Sequence, residues 1–194
     1  MFIDSLQNKF GYSEMYEWSE LFKYDIVPFG RFVTFDKNSN GKIKLANDND
    51  FIIGVTTINS ACVSDDPDEW QGKYLCNKYG DVLLQEKDIV HAYNGYDDIG
   101  EFKYIGTINN KEVVPIVNEY YRPDMPYKKR SDRNEWIRVN LLGKCIVQDD
   151  GSLLAGSWCT VGKDGIAVLA HNQAINKYYV IDRLTQDTIM IFFK

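Results

Sequence analysis

The sequence predicts an all-β domain of short antiparallel strands, arranged as a barrel or a sandwich. Aromatic residues make up 14% of the 194 residues, with 13 Tyr, 10 Phe and 4 Trp, and these residue types are enriched in strands. Asn, Asp, Gly and Pro recur at short intervals and mark turns. The segments between these turns have the length of single strands, which favours a β-rich fold with many short connections.

The central part of the chain is the clearest example of this pattern. Ile43 and Leu45 alternate with two lysines, as expected for a strand with one buried and one solvated face. The Asn40-Gly41 dipeptide favours a hairpin turn, because both residues tolerate positive φ. We therefore predict strand, hairpin turn, strand, turn and strand in succession at residues 32–35, 38–41, 43–45, 47–50 and 51–55.

The N-terminal region is interpreted as an arm followed by a strand. Residues 1–11 form the predicted connecting arm, and residues 12–194 form a single β-rich domain. The residues directly after the arm fit both a helical and a strand spacing. Their Tyr and Trp content favours a strand from Tyr12, followed by a helical turn near Ser19.

An irregular insertion is predicted at about residues 86–134. Turn dipeptides such as Asn94-Gly95 and Asn109-Asn110 interrupt brief strand-like runs there. Two prolines near its end exclude a regular central strand. Strong strand patterns resume in the last third of the chain, at residues 136–143, 144–147, 158–161, 165–169, 178–183 and 188–193.

Charge and hydropathy exclude two classes of partner. The formal charge is -6 and the pI is about 5.0. A nucleic-acid-binding surface needs clustered Lys and Arg, and the one basic cluster, at residues 128–130, is short and followed by Asp132. No run approaches the ~18 apolar residues of a membrane-spanning helix. We therefore expect neither a nucleic-acid partner nor a membrane.

Metal and cofactor sites are not predicted. The four cysteines lack C-x-x-C spacing and the chain has only two histidines, so we expect no structural zinc and reduced thiols. Asp36 opens a run that matches the first half of an EF-hand calcium loop. The twelfth position is Asn47, which cannot supply the bidentate carboxylate. The run is therefore interpreted as a hairpin turn, and no cofactor is expected.

Two carboxylates near the N-terminus are candidates for catalysis. Glu14 and Glu17 lie among aromatic residues in the segment Gly11-Tyr12-Ser13-Glu14-Met15-Tyr16-Glu17-Trp18. If the segment is buried, loss of water favours the protonated form of a carboxyl group and makes it a usable general acid or base. The alternative is a strand with a polar face whose Tyr and Trp belong to the core. The pattern alone favours this alternative.

Several runs, in order, resemble one family. The segment just described is the first of them. The most specific of the others are Asp68-Glu69-Trp70-Gln71-Gly72-Lys73-Tyr74 and Leu141-Leu142-Gly143-Lys144, and the rest are residues 30–34, 53–55, 135–136 and 149–151. Together they resemble the autoproteolytic intramolecular-chaperone domain of bacteriophage tail spikes and neck appendages, of the glutamic-peptidase type. The resemblance runs from about Gly11 to the C-terminus.

The resemblance implies a function and a site. Domains of this family lie at the C-terminus of a trimeric, often β-helical, fibre. They assist trimer assembly, and some then cut themselves off near their own N-terminal edge. The resemblance implies that Glu14 is the catalytic group and Glu17 the second carboxylate, with cleavage in the region of Phe10 and Gly11. The family commonly has Asp directly before the tyrosine of the motif, where this chain has Gly11.

The resemblance also implies partners and a location. We expect a homotrimer with an upstream phage fibre or β-helix domain as partner. We expect the chain in the virion or, during phage assembly, in the host cytoplasm, and a prophage gene is an alternative source.

Peptide hydrolysis by a carboxylate needs a second group that polarises the carbonyl. Glu17 could take this role, or Asp68 and Glu69 if the fold brings them near. The alternative, from another class of function, is a non-catalytic virion structural or receptor-binding module.

Overall fold

The computed structural model describes residues 9–19, 28–96 and 99–194. Within these ranges the regular structure is almost entirely β, and the helical elements are two short 3-10 turns, at Arg130–Asp132 and Lys163–Gly165. The twelve strands are β1 (Phe10–Glu17), β2 (Phe32–Phe35), β3 (Ile43–Leu45), β4 (Gly54–Thr57), β5 (Ser60–Ser64), β6 (Leu84–Tyr96), β7 (Phe102–Pro115), β8 (Trp136–Gln148), β9 (Trp158–Val161), β10 (Ala167–Leu169), β11 (Tyr178–Arg183) and β12 (Thr188–Phe193). The all-β prediction is confirmed. None of the helical residues in the described ranges forms a segment long and apolar enough to cross a membrane.

Two compact units make up the chain. The first comprises Met1–Asp68 and Lys128–Lys194, and the second is the inserted segment Glu69–Tyr127. The insertion therefore begins and ends earlier than the range of about 86–134 suggested by the sequence. Its end differs because the segment around Arg130 belongs to the first unit, where the Arg130 guanidinium donates to the backbone oxygen of Asp65 at 2.9 Å.

One curled, mostly antiparallel sheet forms the framework of the first unit. Its strand order is β10-β9-β11-β12-β8-β4-β2-β3. β8 has 13 residues, and its first half lies between β1 and β4, whereas its second half pairs with β12. β1 also makes a parallel pair with β5. As a result, β1 is hydrogen-bonded on both of its edges.

Two groups of buried side chains stabilise this sheet, and β2 contributes to both. Successive residues of a strand face opposite sides, so Phe32 belongs to the larger cluster and Val33 to the smaller one. In the larger cluster Tyr178 stacks on Phe32 and on Phe193, with ring centroids 5.0 and 5.1 Å apart. Buried side chains therefore pack against both faces of β2.

The predicted central hairpin is confirmed as the antiparallel pair β2–β3. Its turn is closed by the Asp36 N–H, which donates to the Lys42 carbonyl at 2.8 Å. The Asp36 carboxylate accepts the N–H of Asn38 at 3.0 Å, which is a local turn bond of the kind that Asp commonly makes. The run that resembles half of an EF-hand loop is therefore a hairpin turn, as predicted.

β1 confirms the strand predicted at the start of the domain, but it begins two residues earlier, at Phe10. Residues 1–8 of the predicted arm lie outside the described residues. Ser19 lies in a bend, where its N–H donates to the Ile43 carbonyl at 2.9 Å. Residues 20–27, which follow the helical turn predicted near Ser19, lie outside the described ranges.

The second unit contains one long hairpin, in which β6 and β7 have 13 and 14 residues. This regular ribbon differs from the irregular structure predicted for the region. Asn109 and Asn110, interpreted as a turn, pair with Val90 and Ile89 within the ribbon. In a two-stranded ribbon most side chains remain exposed, so asparagines carry no burial cost there and do not interrupt the strand.

Candidate active site

Three alternate residues of β1 place a carboxylate between two phenols. Tyr12, Glu14 and Tyr16 share one face of the strand, because side chains alternate. The Tyr12 hydroxyl donates to Oε1 of Glu14 at 2.8 Å, and the Tyr16 hydroxyl donates to Oε2 at 3.1 Å. Each carboxylate oxygen thus accepts one phenol hydrogen bond, an arrangement that suits the ionised carboxylate.

The neighbouring strand completes this arrangement. β5 runs parallel to β1, and its register sets Ser64 opposite Glu14. The Ser64 hydroxyl lies 2.6 Å from the Tyr12 hydroxyl. Ser64, Tyr12 and Glu14 therefore form a continuous chain of hydrogen bonds that links the two strands.

Both phenols have a raised pKa. Burial and the hydrogen bond to Glu14 raise the pKa of Tyr16 to about 12. For Tyr12 the hydrogen bond with Ser64 lowers the pKa, whereas the bond to Glu14 and burial raise it, and the net pKa lies above its ordinary value. Both phenols therefore stay protonated near neutral pH and remain hydrogen-bond donors to the carboxylate.

Glu17 is close to Glu14 but has a different partner. Its Oε1 lies 2.6 Å from the Nζ of Lys42, in a half-buried ion pair. Glu14 and Glu17 line the same cavity of about 240 Å³, together with Asp65 and Trp136. The structure thus brings both predicted carboxylates to one open cavity, with Glu17 neutralised by a lysine.

Phe10 and Gly11, the predicted cleavage region, lie at the start of the same strand. Phe10 lines a second cavity of about 340 Å³, which is different from the one that Glu14 lines. Gly11 has a φ of +70° and packs against the side chain of Asn140, which is buried. The backbone at the predicted cut therefore adopts a left-handed conformation that L side chains rarely adopt.

A buried polar cluster on the opposite face of β1 was not predicted. The hydroxyls of Ser13 and Ser60 are hydrogen-bonded to each other. Ser13 also donates to Oδ1 of Asn140 at 3.4 Å, and the Asn140 amide donates to the Lys144 carbonyl at 3.4 Å. One sequence signal was available, since Asn140 is a polar residue within the apolar run of β8. A buried polar group needs such partners to offset its lost hydration.

The acidic loop residues are engaged in ion pairs. Asp68 pairs with Lys129, and Asp65 pairs with Arg130. Glu69, in the second unit, pairs with Lys73 at 2.8 Å. Within the described residues, no group of three or more His, Cys, Asp or Glu side chains has the spacing of a metal site.

The chain is similar in sequence to appendage proteins of Bacillus phages. It is 29% identical over 157 residues to a pre-neck appendage protein of Bacillus phage B103. The aligned region covers 80% of this chain and 16% of that protein. It is 30% identical over 146 residues to the preneck appendage protein of Bacillus phage PZA. Here the aligned region covers 75% of this chain and 15% of the PZA protein. The chain thus spans about one sixth of the length of the curated relatives it matches.

Solved structures show the same fold. The C-terminal fragment of bacteriophage phi29 gene product 12 superposes with a TM-score of 0.62 at 24% identity, covering 94% of this chain and 99% of the fragment. The pre-mature form of the same gene product gives a TM-score of 0.65 at 24% identity, over 96% of this chain and 22% of that one.

The family model described as Peptidase_G2, IMC autoproteolytic cleavage domain, matches residues 3–188. This match covers nearly the whole chain and agrees with the resemblance found from the motifs. The chain therefore belongs to the Peptidase_G2 family of intramolecular-chaperone autoproteolytic cleavage domains.

Proposed function

We propose that this chain acts as the C-terminal intramolecular chaperone of a phage tail spike or fibre and releases itself by a single cut near Phe10 and Gly11. Its relatives are pre-neck appendage proteins of phages, and the chain matches a small part of their length. The phi29 relative is a C-terminal fragment of its parent protein. These likenesses support a terminal assembly domain that works in the virion or during phage assembly in the host.

Hydrolysis in this proposal uses Glu14 as the general base. The Glu14 carboxylate accepts a proton from water, and the water oxygen adds to the carbonyl carbon of Phe10. The proton then passes to the nitrogen of Gly11 as the C–N bond breaks, which leaves a carboxylate at Phe10 and an amine at Gly11. Hydrolysis also needs a second group that polarises the carbonyl. Glu17, in its ion pair with Lys42, is the candidate for that role.

The single observation that carries this proposal is the carboxylate of Glu14, held by two phenols three residues from Gly11. Positioning of a reactive group near its target can lower a barrier by several kcal/mol, since a unimolecular reaction avoids the loss of translational entropy. Phe10 and Glu14 line different cavities, so the proposal includes a rearrangement at the start of β1 that brings the Phe10 carbonyl to the Glu14 carboxylate.

The decisive experiment uses a fusion. The segment that precedes the matched region of the B103 relative is placed before this chain, and cleavage is followed by intact mass. The wild-type fusion should release a fragment that begins at or near Gly11, whereas Glu14→Gln should remain intact. Glu17→Gln tests whether the second carboxylate of the same cavity is needed, and Glu119→Gln, at an exposed glutamate of the second unit, is the matched control for the loss of one carboxylate. Equal cleavage by wild type and folded Glu14→Gln would remove Glu14 from the mechanism.

Assembly is the second part of the proposal. A chaperone for a three-fold fibre has to present three copies, so we expect a homotrimer next to an upstream fibre or β-helix domain. Light scattering of the fusion should give three times the mass of one chain. The isolated chain has a mass of 22.4 kDa, and a fusion that stays monomeric over a wide concentration range would contradict the proposal.

One observation favours a non-catalytic alternative. Gly11 stands where the family commonly has Asp, and the structure leaves no space for a side chain there. A wild-type fusion that trimerises but is never cut would identify the chain as a structural or receptor-binding module of the virion.

A further inference from the structure

We propose that Tyr12 and Tyr16 are positioning residues for Glu14, and that Ser64 sets the direction of the Tyr12 hydroxyl. The inference deepens the proposed function and rests on it, because it assigns roles around the same carboxylate. The two phenols are called the tyrosine clamp below.

The first argument is geometric. The residues two positions before and two positions after a carboxylate on a strand lie on its own face, on either side of it. Here both are tyrosines, and each donates to a different oxygen of Glu14, at 2.8 and 3.1 Å. The clamp thereby fixes the plane of the carboxylate. Each oxygen of a carboxylate offers about two acceptor sites, so each keeps one site free for water.

The second argument concerns what holds the clamp itself. The Tyr16 ring packs edge-on against Phe35, with centroids 6.0 Å apart and planes at 62°. Tyr12 is 36% exposed, and its hydroxyl is held instead by Ser64 at 2.6 Å. One phenol is therefore fixed by its ring and the other by its hydroxyl, from two different strands. A donor whose own orientation is fixed holds its acceptor more rigidly than a mobile donor can.

The third argument concerns charge. Among the described residues, the side chains that donate to Glu14 are neutral phenols, whereas Glu17 is paired with Lys42 and Asp65 with Arg130. Of the three carboxylates that line this cavity, Glu14 is therefore the one held by neutral groups alone within the described residues. No cation has to be displaced before it accepts a proton from water. The ionisable groups around Glu14 come from several elements. β1 carries Tyr12, Tyr16 and Glu17, and β5 carries Cys62. Asp65 follows β5 and pairs with Arg130, and Lys42 directly precedes β3.

The test in the fusion removes single hydroxyl groups. Tyr12→Phe and Tyr16→Phe keep the rings and delete one donor each, and Ser64→Ala removes the hydroxyl that sets Tyr12. Tyr79→Phe, at a tyrosine of the second unit that is 78% exposed, is the matched control. A hydrogen bond to a charged group is strong enough that its loss slows cleavage roughly tenfold or more. Wild-type rates in both folded Tyr→Phe variants would overturn the inference.

A second readout does not depend on cleavage. The phenol titrations of Tyr12 and Tyr16 are followed by the ¹³Cζ resonances of tyrosine-labelled chain, in wild type and in Glu14→Gln. Removing the negative charge should lower both midpoints, and unchanged midpoints would refute the clamp. If the wild-type fusion never cleaves, the proposed function falls, and the titration alone then decides whether the clamp exists.

Discussion

The side-chain amide of Asn140 lies over the backbone of Gly11. A Cβ built at Gly11 would overlap Oδ1 of Asn140 and would lie 2.6 Å from the carbonyl oxygen of Leu142. The φ of +70° at this position adds a backbone penalty for any other residue. Glycine is therefore the residue that this arrangement of β1 and β8 accommodates, although the family commonly has Asp there.

Gly11→Ala should destabilise the first unit by about 3 kcal/mol, from the left-handed backbone and the overlap with Asn140. The measurement is urea denaturation followed by tryptophan fluorescence. Gly41→Ala is the matched control, because its φ is +73° but its Cβ would meet no atom within 4 Å. That variant should lose only about 1 kcal/mol. Equal losses in the two variants would show that Asn140 yields to the added methyl.

Arg183→Met should be strongly destabilising, because it leaves a buried carboxylate without its cation. The Asp149 side chain is fully buried and lies 2.6 Å from the Arg183 guanidinium. Removing one partner of a buried pair costs about 3 kcal/mol or more. The exposed pair between Arg122 and Asp124 provides the control, since Arg122→Met should leave the urea midpoint unchanged. A small effect of Arg183→Met would mean that water reaches Asp149.

Native alkylation should label two of the four cysteines. Cys62 and Cys76 are exposed, whereas Cys145 and Cys159 are buried. Burial raises the pKa of both Cys145 and Cys159 to about 12, so little of the reactive thiolate forms at pH 8. Intact mass after iodoacetamide should show two adducts on the folded chain and four after denaturation. Sites that become available only after a reductant is added would indicate a disulfide and contradict the expectation of reduced thiols.

Stability should fall at alkaline pH through Tyr16. Its pKa is raised from 10.0 to about 12 in the folded chain, so folding favours the neutral phenol. This contribution is fully present below pH 10 and is lost as the pH rises towards 12. The buried thiols act in the same direction. Free energies of unfolding measured from pH 9 to 11.5 should therefore fall less steeply in Tyr16→Phe than in wild type. Parallel curves would show that Tyr16 does not take part.

Elements whose pairing is local were predictable from the sequence. The alternation of Ile43 and Leu45 with lysines, next to Asn40-Gly41, defined the hairpin that the structure contains. The strand that carries Glu14 was also predicted, because aromatic residues are enriched in strands. By contrast, Asn109-Asn110 resembled a turn but lies within β7, since an exposed ribbon tolerates residues that a buried strand would exclude.

The surroundings of Glu14 were less accessible to sequence reasoning. Its phenol neighbours could be anticipated from their spacing of two residues. Ser64 could not, because its position depends on the parallel register of β1 and β5, which joins residues about 50 positions apart. Long-range pairings of this kind arise from packing of the whole sheet and leave little local signal.

Gly11 is the second residue of β1, so a cut before it would divide the strand very unequally. Residues 11–17 would keep their ladders to β8 and β5, whereas the described part upstream of the cut would keep only the pairing of Phe10 with Ser60. Within the described residues, a cut at this place would therefore leave almost all of the strand's hydrogen bonds on one side. The folded domain would lose little stability when the bond breaks. Hydrolysis before Gly11 is therefore expected to separate two pieces of chain without unfolding the domain.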